Sequence, residues 1–377
     1  MKPRAPTFRG LPLLAERARE LSLCVYCPKL CRSECPVSNA EPRESLTPWG
    51  KMSSMYFVAD EHVEPSSSFT DLAWACTGCE ACKNACDHKN PVADTLGLAR
   101  AAIFAAGKAP AAAVRVASSF AARKAELGQR VAQAKARHGL PDTASVGIVA
   151  GCTYMRRLPE VADDVIASTA RLLGGATLVS SCCGGALGMA GDREGQRQEL
   201  ESLASETRGM SLLVVGDRGC AYAIKKGADA LGVTIQPRMV TLVELAAEHL
   251  MKLARLPGEP PVFHDPCHLG RGLGLVSEPR AILTRLFGGP PREMAKNREH
   301  TACSGGGGLL PLTMPEVSQE IAKSRAAEAQ GHMLVTACAQ SLRSFRKSGA
   351  QAEDLATLIA RGLGVSGHAA ASPATVG

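Results

Sequence analysis

In the second half of the chain, four short runs of β-branched and apolar residues each end just before a cysteine and give way to helix-forming residues. Val146 to Ala150 precedes Cys152, Leu212 to Val215 precedes Cys220, Pro261 to Phe263 precedes Cys267, and Met333 to Thr336 precedes Cys338. Such runs, each leading into a helix, predict α/β units built around a parallel sheet. The pattern also repeats. Cys152 aligns with Cys267, Cys182 with Cys303 and Cys220 with Cys338, at separations of 115, 121 and 118 residues. Each half closes on a similar apolar helix, Leu242 to Leu250 and Leu355 to Leu363. The expected order is a first Cys-rich α/β domain over 144–256, a second, degenerate copy over 257–366, and a flexible tail of Ala, Ser, Gly and Pro over 367–377.

Upstream of these units, Val116, Phe120, Leu127 and Val131 follow one another at offsets of four, seven and four, one stripe of a helix. Seven basic residues accompany the stripe, namely Lys108, Arg115, Arg123, Lys124, Arg130, Lys135 and Arg137, against Glu126 alone. The stretch of about 108 to 138 therefore carries +6, nearly all of the chain's net charge of +7, within a connector expected over 106–143. It reads either as a solvated linker helix or as a docking face for an acidic partner or an anionic membrane surface. Residues 1–105 have few long periodic stretches and read as a compact cluster-binding domain with short flanking helices.

At 377 residues, 45% apolar and 21% charged, the chain is neither disordered nor an integral membrane protein by composition. No apolar run approaches the roughly 18–20 residues that a bilayer span needs. Charges through the first twenty residues argue against a secretory signal. The expected location is the cytoplasm, with a peripheral place at the inner face of the cytoplasmic membrane left open. Fifteen cysteines in a reducing compartment call for a role other than disulfides, and metal is the leading one.

Eight of them form two tight groups. Cys76, Cys79, Cys82 and Cys86 have the C-x2-C-x2-C-x3-C spacing with which ferredoxins wrap a [4Fe–4S] cubane, the fourth cysteine turning to the neighbouring cluster. Cys24, Cys27, Cys31 and Cys35 repeat it with one extra residue in the middle gap, followed by Pro36. The crossover assigns Cys24, Cys27, Cys31 and Cys86 to one cluster and Cys76, Cys79, Cys82 and Cys35 to the other. Two structural zinc sites are the alternative, but zinc ribbons use separated C-x2-C pairs rather than four cysteines within about a dozen residues.

The remaining cysteines are Cys152, Cys182, Cys183, Cys220, Cys267, Cys303 and Cys338. The vicinal pair Cys182-Cys183 leads into Gly184 and Gly185, an arrangement that packs poorly as core and could present two sulfurs from one loop. Here the sequence resembles the Cys-Cys-Gly domain iron–sulfur oxidoreductase family. That family includes heterodisulfide reductase and the iron–sulfur subunits of glycolate oxidase and anaerobic glycerol-3-phosphate dehydrogenase. The resemblance rests on Cys76 to Cys86, Ser181 to Gly185, Phe263 to Arg271, Asn297 to Glu299, and Cys303 to Gly308. It implies an α+β multidomain fold, with a helical two-cluster ferredoxin-like N-terminal domain followed by two repeated Cys-rich α/β domains. It also implies five cysteines per complete copy, holding a non-cubane cluster.

Two departures bear on the sites. Copy one has Ala223 where the C-x2-C pattern would place its fifth ligand; copy two has Ser304 and Ser341 at two ligand positions. Copy one is therefore expected to hold any additional cluster beyond the two [4Fe–4S] clusters. Gly305 to Gly308 lacks the Lys-Ser/Thr of a phosphate loop. His264, Asp265, His268 and Arg271 read either as hydrogen-bond or proton donors near a cluster or as helix-entry residues. No G-x-G-x-x-G opens a helix, so no flavin or nicotinamide site is expected. The leading expectation is an electron-transfer subunit. It would pass electrons from a flavoprotein dehydrogenase or electron-transfer flavoprotein to quinone or another carrier, without nucleic-acid binding. The alternatives are a thiol–disulfide reductase at Cys182-Cys183 and a non-redox scaffold.

Overall fold

The computed structural model describes residues 7–29 and 31–367; the expected tail lies, from residue 368 on, outside the described residues. The N-terminal part is helical. Its longer helices, Pro48–Ala59 and Val92–Ala105, pack around Leu14, Leu21, Met52, Met55, Trp74, Leu96 and Ile103, all essentially inaccessible. Thr47 caps the first of them by accepting from Gly50 N at 3.0 Å, with Pro48 at its first position.

The stretch read as one connector helix is two, Ala111–Ser118 and Phe120–His138, broken at Ser119. Its apolar stripe is split between two cores: Val116 packs in the N-terminal cluster, whereas Leu127, Val131 and Ala134 are buried against the first sheet. The longer helix ends at Gly139, which has φ +59°. Much of its charge is already paired. Lys124 meets Glu199 at 2.8 Å, Arg137 meets Asp163 at 2.6 Å, and Glu126 takes both Arg130 and Arg156. The helix is thus a packed wall of the first α/β unit, not a solvated linker.

Two four-stranded sheets follow, both parallel throughout. The first comprises β1 Val146–Val149, β2 Thr177–Leu178, β3 Leu212–Val215 and β4 Arg238–Thr241, in the order β2-β1-β3-β4. The second comprises β5 Val262–His264, β6 Arg292–Glu293, β7 Leu334–Thr336 and β8 Ala352–Asp354, in the order β6-β5-β7-β8. The strand order is the same in both. The central strands are near-continuous apolar runs, as expected where helices cover both faces. Helices Pro159–Leu173 and Leu355–Gly362 pack on each other, so one core runs through both sheets from Ile148 and Val214 to Phe263 and Val335.

Parallel strands deliver all their carboxyl ends to one edge of a sheet, and the loops there carry the chemistry. Cys152 follows β1, Cys182 and Cys183 follow β2, and Cys220 lies in the helix Arg218–Leu231 after β3. Cys267, Cys303 and Cys338 follow β5, β6 and β7. Asp217 caps the helix that bears Cys220, accepting from Gly219 N at 3.0 Å. Thr241 and Glu244 form a capping box after β4.

Candidate iron–sulfur sites

The two N-terminal cysteine groups line two cavities, exchanging their last members. Cys24, Cys27, Cys31 and Cys86 surround one, with Trp49, His88 and Asn90. Cys35, Cys76, Cys79 and Cys82 surround the other, with Lys51 and Thr77, and Cys82 borders both. Short turns supply the local geometry. Lys29 N donates to Cys27 Sγ and Gly78 N to Cys76 Sγ, each at 3.4 Å. Asn90 Nδ2 reaches Cys24 Sγ at 3.1 Å, and the Lys51 ammonium, buried from solvent, lies 3.4 Å from Cys35 Sγ. Arg100 ties the second group down by donating to Ala73 O at 2.9 Å and to Cys76 O at 2.6 Å.

Burial, reinforced by the neighbouring thiolates Cys31, Cys27 and Cys86, pushes the Cys24 thiol up to about 12, and the same forces push Cys31 up to about 11. A cationic core between these sulfurs would relieve the burial and repulsion that hold Cys24 and Cys31 protonated. The donor set fits an iron–sulfur cluster at each cavity. Among the described residues, no group of three or more His, Cys, Asp or Glu side chains is arranged to hold a single metal ion.

The copy-one cysteines form a third set. Cys152 contacts Cys182 and Cys220, and Cys183 contacts the same two, closing a ring of four thiols. Leu127, Val131, Val149, Met155 and Leu178 line the same cavity. The helix Phe120–His138 thus roofs one side of this site with Leu127 and Val131. The loop carrying the vicinal pair is pinned by Glu206, whose carboxylate accepts from Ser180 N at 2.8 Å and Ser181 N at 2.7 Å. Burial opposes that charge, yet these bonds hold the carboxyl below its usual range. Ala223 faces the second glycine after the pair: a Cβ on Gly185 would lie 3.1 Å from the Ala223 methyl and 3.5 Å from Cys183 Sγ. Ala223, where the resemblance would place a fifth ligand, thus lies beside the loop of the vicinal pair. Four thiols in a ring, three of them buried and Cys152 half-buried, also fit a cluster.

Copy two is different. Cys303 contacts Cys267 on one side and Cys79 of the N-terminal group on the other. Cys338 stands apart from them. Arg218, from copy one, donates through Nη2 to Cys338 Sγ at 2.6 Å and places Nη1 at 2.8 Å from His268 Nδ1. Ser304 and Ser341, at the two substituted ligand positions, bond each other at 2.8 Å, both buried.

The four flanking residues singled out from the sequence take distinct places. His268, in a π-helical turn over His268–Gly272, approaches Gly78 O at 3.0 Å and stacks on Tyr222 with centroids 4.0 Å apart. Burial and Arg218 hold it neutral, at about 3. Arg271 donates to Cys79 O at 2.7 Å, and Tyr222 donates to Glu80 at 2.6 Å. Asp265 pairs with Arg280 at 2.8 Å and His264 with Thr336 at 3.2 Å, both inside the second unit. The glycine run also belongs to this junction: a Cβ on Gly307 or Gly308 would collide with the carbonyls of Thr77 and Cys76. Arg218, Lys51, Tyr222 and Glu80 carry no motif that marks them in the sequence.

Comparison with known proteins points to the same iron–sulfur chemistry. The 4Fe-4S dicluster domain family matches residues 20–90, and the cysteine-rich domain family matches residues 262–344. One chain of the dihydromethanophenazine:CoB–CoM heterodisulfide reductase of Methanosarcina barkeri is 26% identical, over 97% of this chain and all of that protein. One chain of the fumarate reductase (CoM/CoB) of Methanothermobacter marburgensis is 25% identical, over 82% of this chain and 63% of that one. An iron-sulfur subunit of an Hdr-like menaquinol oxidoreductase from Archaeoglobus fulgidus is 39% identical over 51 residues, 13% of this chain and 9% of that protein. With a 4Fe-4S dicluster domain ahead of cysteine-bearing parallel α/β units, a cysteine-rich domain in the second of them, and a heterodisulfide reductase chain that aligns with it over nearly its whole length, the chain is similar to the Cys-Cys-Gly domain iron–sulfur oxidoreductases.

Proposed function

We propose that this chain is the iron–sulfur relay of a multi-subunit oxidoreductase. It would take electrons from a flavoprotein dehydrogenase or electron-transfer flavoprotein and pass them to quinone or another carrier. Clusters bound at these cysteines would each accept and release one electron at a time. Two [4Fe–4S] clusters are assigned to Cys24, Cys27, Cys31, Cys86 and to Cys35, Cys76, Cys79, Cys82, and one further cluster to Cys152, Cys182, Cys183 and Cys220. The α/β units are read as two copies of one domain, 144–256 and 257–366.

The observation that carries this reading is the continuity of the thiol sets. Cys82 borders both N-terminal cavities, and the Gly78–Glu80 stretch of the second is held by Tyr222 of copy one and by His268 and Arg271 of copy two. Lys51 and Arg100 supply buried positive charge beside the second set, which favours the reduced, more negative state. No helix among the described residues is long and apolar enough to cross a membrane, so contact with a membrane carrier would come through a partner or the surface. The test is anaerobic isolation followed by iron, sulfide and EPR analysis. About twelve irons with matching sulfide, in two cubane signals and one distinct signal, are expected. Stoichiometric zinc without sulfide would refute it.

A second reading, thiol–disulfide reduction at the Cys182-Cys183 site, draws on the end-to-end similarity to a heterodisulfide reductase chain. Reduction of a disulfide, two electrons and two protons giving two thiols, by the reduced protein would favour it over the relay.

A further inference from the structure

Copy two retains three of the family's cysteines, yet the residues around them do not fit a cluster. The Arg218 guanidinium reaches in from copy one and donates to Cys338 Sγ at 2.6 Å, while its second nitrogen meets His268 Nδ1 at 2.8 Å. Cys338 is fully buried and also accepts from Ser341 N at 3.3 Å, so its sulfur is already surrounded by donors. The serines that replace two ligands satisfy each other at 2.8 Å instead of opening toward the cysteines. Cys267 and Cys303 turn away from Cys338 and form one small buried cluster with Cys79 and Ala81. A cluster core would have to displace a buried, fixed positive charge.

We propose that copy two holds no cluster and that its Cys303 instead hydrogen-bonds Cys79 Sγ, setting the potential of the neighbouring N-terminal cluster. Arg218 plugs the vacated site and replaces the positive charge that iron would have supplied to Cys338. A ligand sulfur that holds iron can only accept, so the Cys303 thiol, which holds none, is the donor. Arg271, donating to Cys79 O at 2.7 Å, fixes the orientation of the same residue. A hydrogen bond to a ligand sulfur stabilises the reduced state and raises the potential. Copy two thereby acts as a positioning and tuning element for a cluster it does not bind. This rests on Cys35, Cys76, Cys79 and Cys82 being a cluster site.

The experiment uses the full chain, isolated anaerobically, with variants Cys338→Ala, Cys303→Ala, Cys303→Ser and Cys79→Ala. Iron and sulfide analysis is combined with EPR-monitored redox titration. Cys338→Ala is expected to keep all the iron and sulfide of the parent. Cys303→Ala should also keep them while lowering the midpoint potential of one cubane signal, and Cys303→Ser, which retains a donor, should restore that potential toward the parent value. Loss of about four irons with matching sulfide in either Cys338→Ala or Cys303→Ala would overturn the proposal. So would an unchanged potential in Cys303→Ala. If Cys303→Ala fails to fold, the Ser variant and Cys338→Ala still decide: iron loss in either refutes it, and full iron with a near-parent potential supports it. Unchanged iron in Cys79→Ala would instead refute the underlying cluster assignment.

Discussion

The hydroxyl of Tyr154, two residues after Cys152, donates a 2.6 Å hydrogen bond to Asp354 at the end of β8, joining the first sheet's cysteine loop to the second sheet. Asp354 also caps the following helix by accepting from Ala356 N at 3.0 Å. Burial outweighs both bonds and pushes its carboxyl up to about 7. The folded chain therefore keeps a proton that the unfolded chain releases near pH 4. This contribution to stability is complete below about pH 4 and is lost as the pH climbs toward about 7. Asp354→Asn cannot ionise and should gain stability relative to the parent between pH 4 and 8 in urea titrations. Parallel pH profiles for the two proteins would show that Asp354 ionises normally.

Removing the donor should cost more than removing the charge. Tyr154→Phe leaves a buried carboxyl without that partner and is expected to lose roughly 1–3 kcal/mol at neutral pH. Thermal or chemical unfolding at pH 7 measures it.

The roof over the copy-one thiols gives a prediction that separates one site from the other two. Leu127→Ala removes a buried side chain that lines the cavity of Cys152, Cys182, Cys183 and Cys220. Stability should fall by about 2–5 kcal/mol, and the distinct third EPR signal should bleach fastest in air. Equal bleaching of all signals would place the roof elsewhere.

Lys51 is buried with its ammonium 3.4 Å from Cys35 Sγ. Lys51→Met withdraws that charge from the reduced state, an effect of at most roughly 5 kcal/mol for unit charges at that distance and an effective dielectric of 20. Redox titration should show one cubane potential shifted downward and the other little changed.

Much of this site could be read from the chain before folding. The spacing within Cys24–Cys35 and Cys76–Cys86 is local, so it survives as a signal without any tertiary information. The same holds for the strand-then-cysteine order around Cys152, Cys220, Cys267 and Cys338, whereas the two-residue strands ahead of Cys182 and Cys303 are too short to leave a pattern. What stayed hidden depends on distant partners. Arg218 and Cys338 are 120 positions apart, and nothing near either predicts their contact. The stripe of Leu127 and Val131 identifies a helix but not the surface it covers. The positive charge beside it looked free because Glu199 and Asp163, which take up Lys124 and Arg137, belong to later helices. Ser304 and Ser341 were visible as substitutions, but their mutual bond needed two loops to meet.

The clamp on Gly78, Cys79 and Glu80 has a consequence for how the protein is made. Its three gripping residues, Tyr222, His268 and Arg271, lie 142, 190 and 192 positions beyond their targets. During synthesis, all eight N-terminal thiols emerge long before anything exists to cover the second group. Under the proposed cluster assignment, iron and sulfide would have an open window for delivery to Cys79, which would close when the α/β units fold against it. Loss of iron from this position in the finished protein would need those units to lift away first, so refilling it should be far slower than refilling the site of Cys24, Cys27, Cys31 and Cys86.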